Sequence, residues 1–168
     1  MNLTALQKIP YGMFVVSTAF NGKMNGQIAN TVLQISAEPP TIAVSINKQN
    51  LTHELITASG VFSVSILSEK TPLAFIGAFG FKSGRTTDKF KDIHFETGVT
   101  GTPIVLDYAV GYLEAKVITA VDVITHTLFI GTLVAAEVRE DAPPMTYDYY
   151  HRIKGGLTQK NAPTYIKK

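Results

Sequence analysis

Polar hydrogen-bonding residues gather at three places along this 168-residue chain, each bordered by runs of apolar residues. The first is Asn25-Gly26-Gln27-Ile28-Ala29-Asn30-Thr31-Val32. There Thr31 and an extended backbone from Ala29 to Val32 offer alternating donors and acceptors, the pattern needed along the polar edge of a flat heteroaromatic ring. The plainer alternative makes Asn25-Gly26 and Asn30 turn or bulge residues, and on composition it has the stronger claim. The second place is Asn47, Lys48, Asn50 and Thr52, where a strand gives way to a helix. Free N–H groups, side-chain donors and one cation converge there, which suits a phosphate; capping by Asn50 beside a solvated Lys48 accounts for the same residues equally well. The third is Ser83-Gly84-Arg85 with Lys89, either the far wall of the same anion site or a solvated charged loop. Only convergence with Lys48 in space decides for the anion site.

His126 lies between Thr125 and Thr127 at the start of an apolar strand. With a reference pKa of about 6.5 it can handle a proton or meet a reduced cofactor, although capping is the commoner role for a lone histidine. His53, His94 and His151 show no metal-ligand spacing, and His53-Glu54 lacks the second histidine of a zinc helix, so no metal is expected. The chain has no cysteine, which removes disulfides, thiolate metal sites, iron–sulfur clusters and thiol nucleophiles. With no nucleophile elbow and no glycine-rich phosphate loop either, the chemistry is expected to belong to a bound cofactor.

The elements that must position these groups are mostly strands. Met13 to Phe20 is rich in β-branched and aromatic residues and runs into Asn21-Gly22, a hairpin turn signal. A second strand is expected from Met24 to Ser36, and a third from Thr41 to Ile46 after the break at Pro39-Pro40. Asn50 to Ser59 has helical spacing, an N-cap at Asn50 and a stop at Gly60. Val61 to Leu67 alternates with period two, and Thr71-Pro72 opens a short helix reaching about Ala78. Gly77, Gly80 and Gly84 among Phe75, Phe79 and Phe81 suggest a mobile or ligand-touching loop ending in a helical turn at Asp88-Lys89-Phe90. Two long strands follow, Ile104 to Val121 and Thr125 to Val138, joined through Asp122 to Thr125. The closing segment, with Pro143-Pro144 and Tyr147, Tyr149, Tyr150 and Tyr165, is expected to pack on its own domain or on a partner subunit. Six or seven strands with two short helices indicate a mainly β barrel or sandwich with short helices, in one domain.

Composition bounds the rest. A chain with 45% apolar and 17% charged residues has more surface to bury than average, which fits an oligomer interface. A net charge of +2, from 15 basic and 13 acidic residues without a dense basic run, argues against nucleic acid. The N-terminus lacks the basic start and apolar centre of a secretion signal, and no apolar run approaches the roughly 20 residues of a membrane span. A cytoplasmic location is the expectation.

Several of these segments together resemble one known family. Tyr11-Gly12-Met13-Phe14-Val15-Val16-Ser17, Asn25 to Val32, Glu38 to Lys48, Phe79 to Arg85, Asp88-Lys89-Phe90 and His126-Thr127-Leu128-Phe129-Ile130-Gly131 are similar to the flavin reductase family of the FMN-binding split barrel, and within it to the flavin domain of high-molecular-weight rubredoxins. The similarity runs in order through nearly the whole chain, to Ala162-Pro163-Thr164-Tyr165. It implies a Greek-key FMN-binding split β-barrel that forms a homodimer with the flavin near the subunit interface. It further implies hydride transfer from NADH or NADPH to FMN, and electrons passed on to a rubredoxin-like protein, free flavin or another acceptor. The alternative is a flavoredoxin-like FMN carrier reduced by a protein partner. Carried over by residue, Ala29, Asn30, Thr31 and Val32 would border the flavin ring, while Asn47, Lys48, Asn50, Leu51 and Thr52 would hold the ribityl chain and phosphate. Ser83, Gly84 and Lys89 would close over the phosphate, and His126 would stand near flavin and nicotinamide. Fused relatives carry a rubredoxin module with four cysteines; this chain has none. It would therefore serve a separate partner, act alone, or be part of a longer polypeptide.

Overall fold

The structure, a computed structural model, describes residues 1–166. A 3-10 helix, Leu3–Lys8, precedes strands β1 (Phe14–Phe20), β2 (Lys23–Ala29), β3 (Val32–Ala37) and β4 (Pro40–Asn47). Then come helix α1 (Leu51–Ser59), β5 (Val61–Leu67), α2 (Leu73–Gly80), β6 (Phe95–Thr97), β7 (Pro103–Val105), β8 (Ala109–Val123), β9 (His126–Val138) and α3 (Tyr147–Arg152). The fold is mainly β with short helices, as expected.

The β1–β2 hairpin turns at Asn21 and Gly22, whose φ angles of 49° and 76° suit the primed turns that follow strand twist. The expected single strand from Met24 to Ser36 is two strands. It breaks at Asn30-Thr31, and the halves lie at opposite edges of a seven-stranded sheet ordered β2-β1-β5-β8-β9-β4-β3. Two residues cannot reach across a flat sheet of that width. The sheet therefore rolls up until its edges meet around Asn30-Thr31; on one side Ser45 N–H donates to the Thr31 carbonyl at 3.2 Å and extends the β3–β4 pairing to the break. The result is a barrel with a seam, and the seam lies beside the polar segment singled out in the sequence.

β1 is buried on both faces, because neighbouring strand residues point to opposite sides. Val16 joins Val44, Ile46, Ile56, Phe62, Val64 and Phe129 in the cluster that includes α1. Val15 joins Met13, Leu67, Phe75, Ile76, Phe79, Phe90 and Tyr150 in a second cluster, with α2 and α3. α1 ends as expected, with Gly60 in the left-handed region at φ 69°.

Other expectations change. α2 continues to Gly80, so two of the three glycines of the supposed loop are helical. Asp88 to Phe90 is a bend in place of a helical turn; the Asp88 carboxylate accepts from Phe90 N–H at 2.9 Å and substitutes for a helical carbonyl. The first long strand is interrupted after β7 near Tyr108, at φ 61°, and Asp122 and Val123 belong to β8. β6 and α3 are additional, so the described residues form nine strands and three α-helices. Among the described residues no helix is long and apolar enough to cross a membrane.

Candidate functional site

A cleft of about 1060 Å³, counting its open mouth, lies between the end of β2, the start of α1, the residues after α2 and the tail beyond α3. Asn25, Gln27 and Ala29, at alternate positions of β2, form one wall. Leu51 and Thr52 form the floor at the N-terminus of α1. Lys82, Ser83 and Gly84 stand opposite, and Gln159 to Pro163 cross the mouth.

The start of α1 is left open. Asn50 occupies the N-cap position, yet its side chain makes no capping bond. Its amide donates instead to Gln27 Oε1 at 3.0 Å, and its oxygen accepts from Asn161 Nδ2 at 3.1 Å. The backbone N–H groups of Leu51 and Thr52 consequently have no protein partner among the described residues. Thr52 is fully buried; its Oγ1 accepts from Asn25 Nδ2 at 2.8 Å, and its own proton finds no protein acceptor among the described residues.

Lys89 crosses from the far wall and is only 8% exposed. Its ammonium donates to the carbonyls of Gly26 at 2.9 Å and Phe79 at 3.0 Å, tying β2 to α2 and leaving one of three protons unspent. Burial draws its pKa down to about 8, with no carboxylate paired to it among the described residues. Orphan helix N–H groups, a free hydroxyl proton and an unpaired buried cation together fit a phosphate.

The structure brings Ala29, Asn30, Asn47, Asn50, Leu51, Thr52, Ser83, Gly84 and Lys89 to the lining of this one cleft. Five of the expected residues, Thr31, Val32, Lys48, Arg85 and His126, are not part of that lining. Thr31 donates to Asn30 Oδ1 at 3.1 Å, and Val32 packs against the barrel core. Lys48 is held by Asp122, near the end of β8, at 3.3 Å. Arg85, which the sequence grouped with Ser83 and Gly84, turns away to make a bidentate pair with Glu54; this raises the guanidinium pKa and lowers that of the carboxyl. The predicted convergence of Lys48 with the Ser83-Gly84-Arg85 loop is thus replaced by one between that loop and the α1 terminus.

His126 sits at the edge. Its Nε2 lies 3.1 Å from the Asn161 carbonyl, which can only accept, so Nε2 carries a proton; Nδ1 lies 2.9 Å from Thr125 Oγ1. The histidine holds the tail in place. Next to it runs a chain the sequence did not reveal. His53 Nε2 bonds Thr127 Oγ1 at 2.8 Å, Thr127 donates to Asp122 at 2.9 Å, and Asp122 holds Lys48. Burial lowers the His53 pKa, and the Thr127 hydroxyl and Lys48 lower that of Asp122.

Asn25 and Gln27 were missed as site residues although their period of two with Ala29 marks a common face. The tail was missed for another reason: Asn161 and Thr164 reach Asn50 and Asn30 across 111 and 134 residues, and no local pattern carries that signal.

The chain belongs to the flavin reductase like domain family, whose profile matches residues 6–156. It is 49% identical to the high molecular weight rubredoxin of Moorella thermoacetica over 98% of this chain and 72% of that protein. It is 46% identical to the ferric-chelate reductase (NAD(P)H) of Archaeoglobus fulgidus over 99% of each. Among solved structures, the FMN-binding protein from Thermus thermophilus with bound p-hydroxybenzaldehyde is similar with a TM-score of 0.72 at 29% identity, over 80% of this chain and 75% of that one.

Proposed function

We propose that this protein, as one flavin-binding domain, is an FMN-dependent oxidoreductase that takes hydride from NADH or NADPH and delivers electrons to a rubredoxin-like protein, free flavin or another acceptor. The observation that carries this reading is the set of unspent donors at the α1 terminus, in one cleft with a buried lysine that has no carboxylate partner among the described residues. FMN supplies the hydride-accepting and electron-passing chemistry when bound. The protein supplies the rest. Leu51 and Thr52 N–H, the Thr52 hydroxyl and Lys89 hold the phosphate, with Ser83 and Gly84 closing over it. Asn47 and Asn50 flank the ribityl chain, and the backbone near Ala29 and Asn30 borders the ring. His126 keeps the tail across the mouth, where it limits the entry of water.

Exposed apolar residues on the β8–β9 arm, among them Ile118, Val123 and Ile124 at 92%, support a homodimer formed through that arm. Sedimentation should give twice the chain mass; a monomer at micromolar concentration would remove the dimer from this reading. The cell interior is the expected location.

The tail across the mouth favours a second reading, a carrier reduced by a protein partner, since Gln159 to Pro163 narrow the way for a nicotinamide. Both readings are tested by an anaerobic visible spectrum of the FMN-supplemented protein before and after NADH, and separately NADPH. Rapid bleaching establishes the reductase and its donor. Flavin that binds but stays oxidised selects the carrier, and protein that takes up no FMN sinks both.

A further inference from the structure

We infer that Asn25 is a positioning residue: its amide turns the Thr52 hydroxyl proton toward the phosphate, and it thereby sets a preference for phosphorylated over unphosphorylated flavin. The inference rests on the phosphate placement proposed above.

The argument starts from hydroxyl chemistry. A threonine hydroxyl has one proton to give and two lone pairs to offer. Asn25 Nδ2 fills one lone pair of Thr52 from 2.8 Å, so the proton must go elsewhere. A helical threonine commonly spends it on the carbonyl one turn back, as Thr57 does on His53 at 2.9 Å. Thr52 stands in the first turn and makes no such bond among the described residues. The cleft is the direction left to it. Both partners are buried, Asn25 at 3% and Thr52 at 0% exposure, so water does not compete for the bond between them.

Asn25 is held from its other side too. Gly84 packs so closely on it that a Cβ there would come within 1.9 Å of Asn25 Oδ1. The residue therefore touches both walls of the anion site, the α1 terminus and the Ser83-Gly84 loop. An aspartate of the same shape would reverse the arrangement. Its carboxylate would accept the Thr52 proton, turn it off the ligand and set a negative charge beside the phosphate.

The test compares the affinities of FMN and riboflavin, the same ring without phosphate, for the intact protein and for Asn25→Asp, Asn25→Ala and Gly84→Ala. The wild type should favour FMN. Asn25→Asp should weaken FMN by about tenfold to a hundredfold with riboflavin within twofold, and Gly84→Ala should move the same way by a smaller factor. If Asn25→Asp does not fold, Asn25→Ala and Gly84→Ala carry the test through the same ratio. Parallel loss of both ligands would mark a merely structural residue and overturn the inference. So would an unchanged preference in the variants, while the phosphate placement survived. A wild type that does not distinguish FMN from riboflavin would overturn the placement itself, and the inference with it.

Discussion

Glu114 and Thr52 are both polar and both fully buried, and the fold treats them in opposite ways. The Glu114 carboxylate accepts from Val99 N–H at 3.0 Å, Thr100 N–H at 2.7 Å, the Thr102 hydroxyl at 3.1 Å and the Thr100 hydroxyl as well. Its acceptor capacity is filled by the loop between β6 and β7, and a Cβ on Gly98 would come within 2.5 Å of its oxygens. Nothing is left to offer a ligand. Thr52, with the N–H groups around it, keeps its donors open toward a cleft. A closed polar cluster is architecture, and an open one at equal burial invites a guest, because an unmet buried donor costs free energy until something meets it.

The comparison is broken most severely at the closed end. Glu114→Ala should destabilise the protein by about 2–4 kcal/mol, since the partly buried N–H groups of Val99 and Thr100 and the buried Thr102 hydroxyl lose a shared charged acceptor. Urea titration should show the loss, while the fraction that stays folded binds FMN within twofold of wild type. A variant that keeps its stability and loses FMN would reverse the two roles.

Lys89 lies between the extremes, bonded to carbonyls and, among the described residues, to no carboxylate. Below pH 8 both folded and unfolded chains hold its proton. Between about pH 8 and pH 10.4 the folded chain releases the proton first, so unfolding takes one up and stability rises with pH, by about 3 kcal/mol at most. Lys89→Met should flatten that rise in the flavin-free protein. FMN should push the rise to higher pH, because an anion beside the ammonium favours its charged form.

At the open end, Thr52→Val should cost about 1–3 kcal/mol, because it strands the buried Asn25 amide, and should cut FMN affinity about tenfold, with riboflavin spared. Titration by flavin fluorescence separates the two ligands. The smallest effect is expected at Lys48→Ala. The Lys48–Asp122 pair is partly exposed, so its loss should cost under 1 kcal/mol, and FMN retention should fall by no more than about threefold. A larger loss at Lys48 than at Thr52 would move the phosphate toward Lys48 and the end of β8.

Much of the fold is legible in the sequence, though the closed cluster around Glu114 is not. The Asn21-Gly22 hairpin, the Asn50 and Gly60 ends of α1 and the alternation of Val61 to Leu67 are local signals, and each element forms where its residues indicate. The strand from Met24 to Ser36 misled because its residues favour β structure throughout. Its break at Asn30-Thr31 is decided by closure of the sheet, which no window of ten residues contains. Lys48 shows the same limit within the site. Its spacing suited an anion, but Asp122, from the far end of β8, supplies a competing charge. Asn25 is the reverse case, set aside as a turn residue while its pairing with Thr18 inside the β1–β2 ladder places it on the cleft wall. β6 and α3, of 3 and 6 residues, are too short to show a period.

The tail across the cleft has a consequence for the order in which the protein is made. Asn30 emerges early in synthesis and waits for Thr164, 134 residues behind it, before their 2.8 Å bond can form. The barrel, whose strands end at Val138, can close first, and contacts of such long sequence separation form late. A chain whose barrel has closed therefore still lacks the Asn161 and Thr164 bonds that hold the tail against the cleft, so the floor of the site is complete before its mouth is.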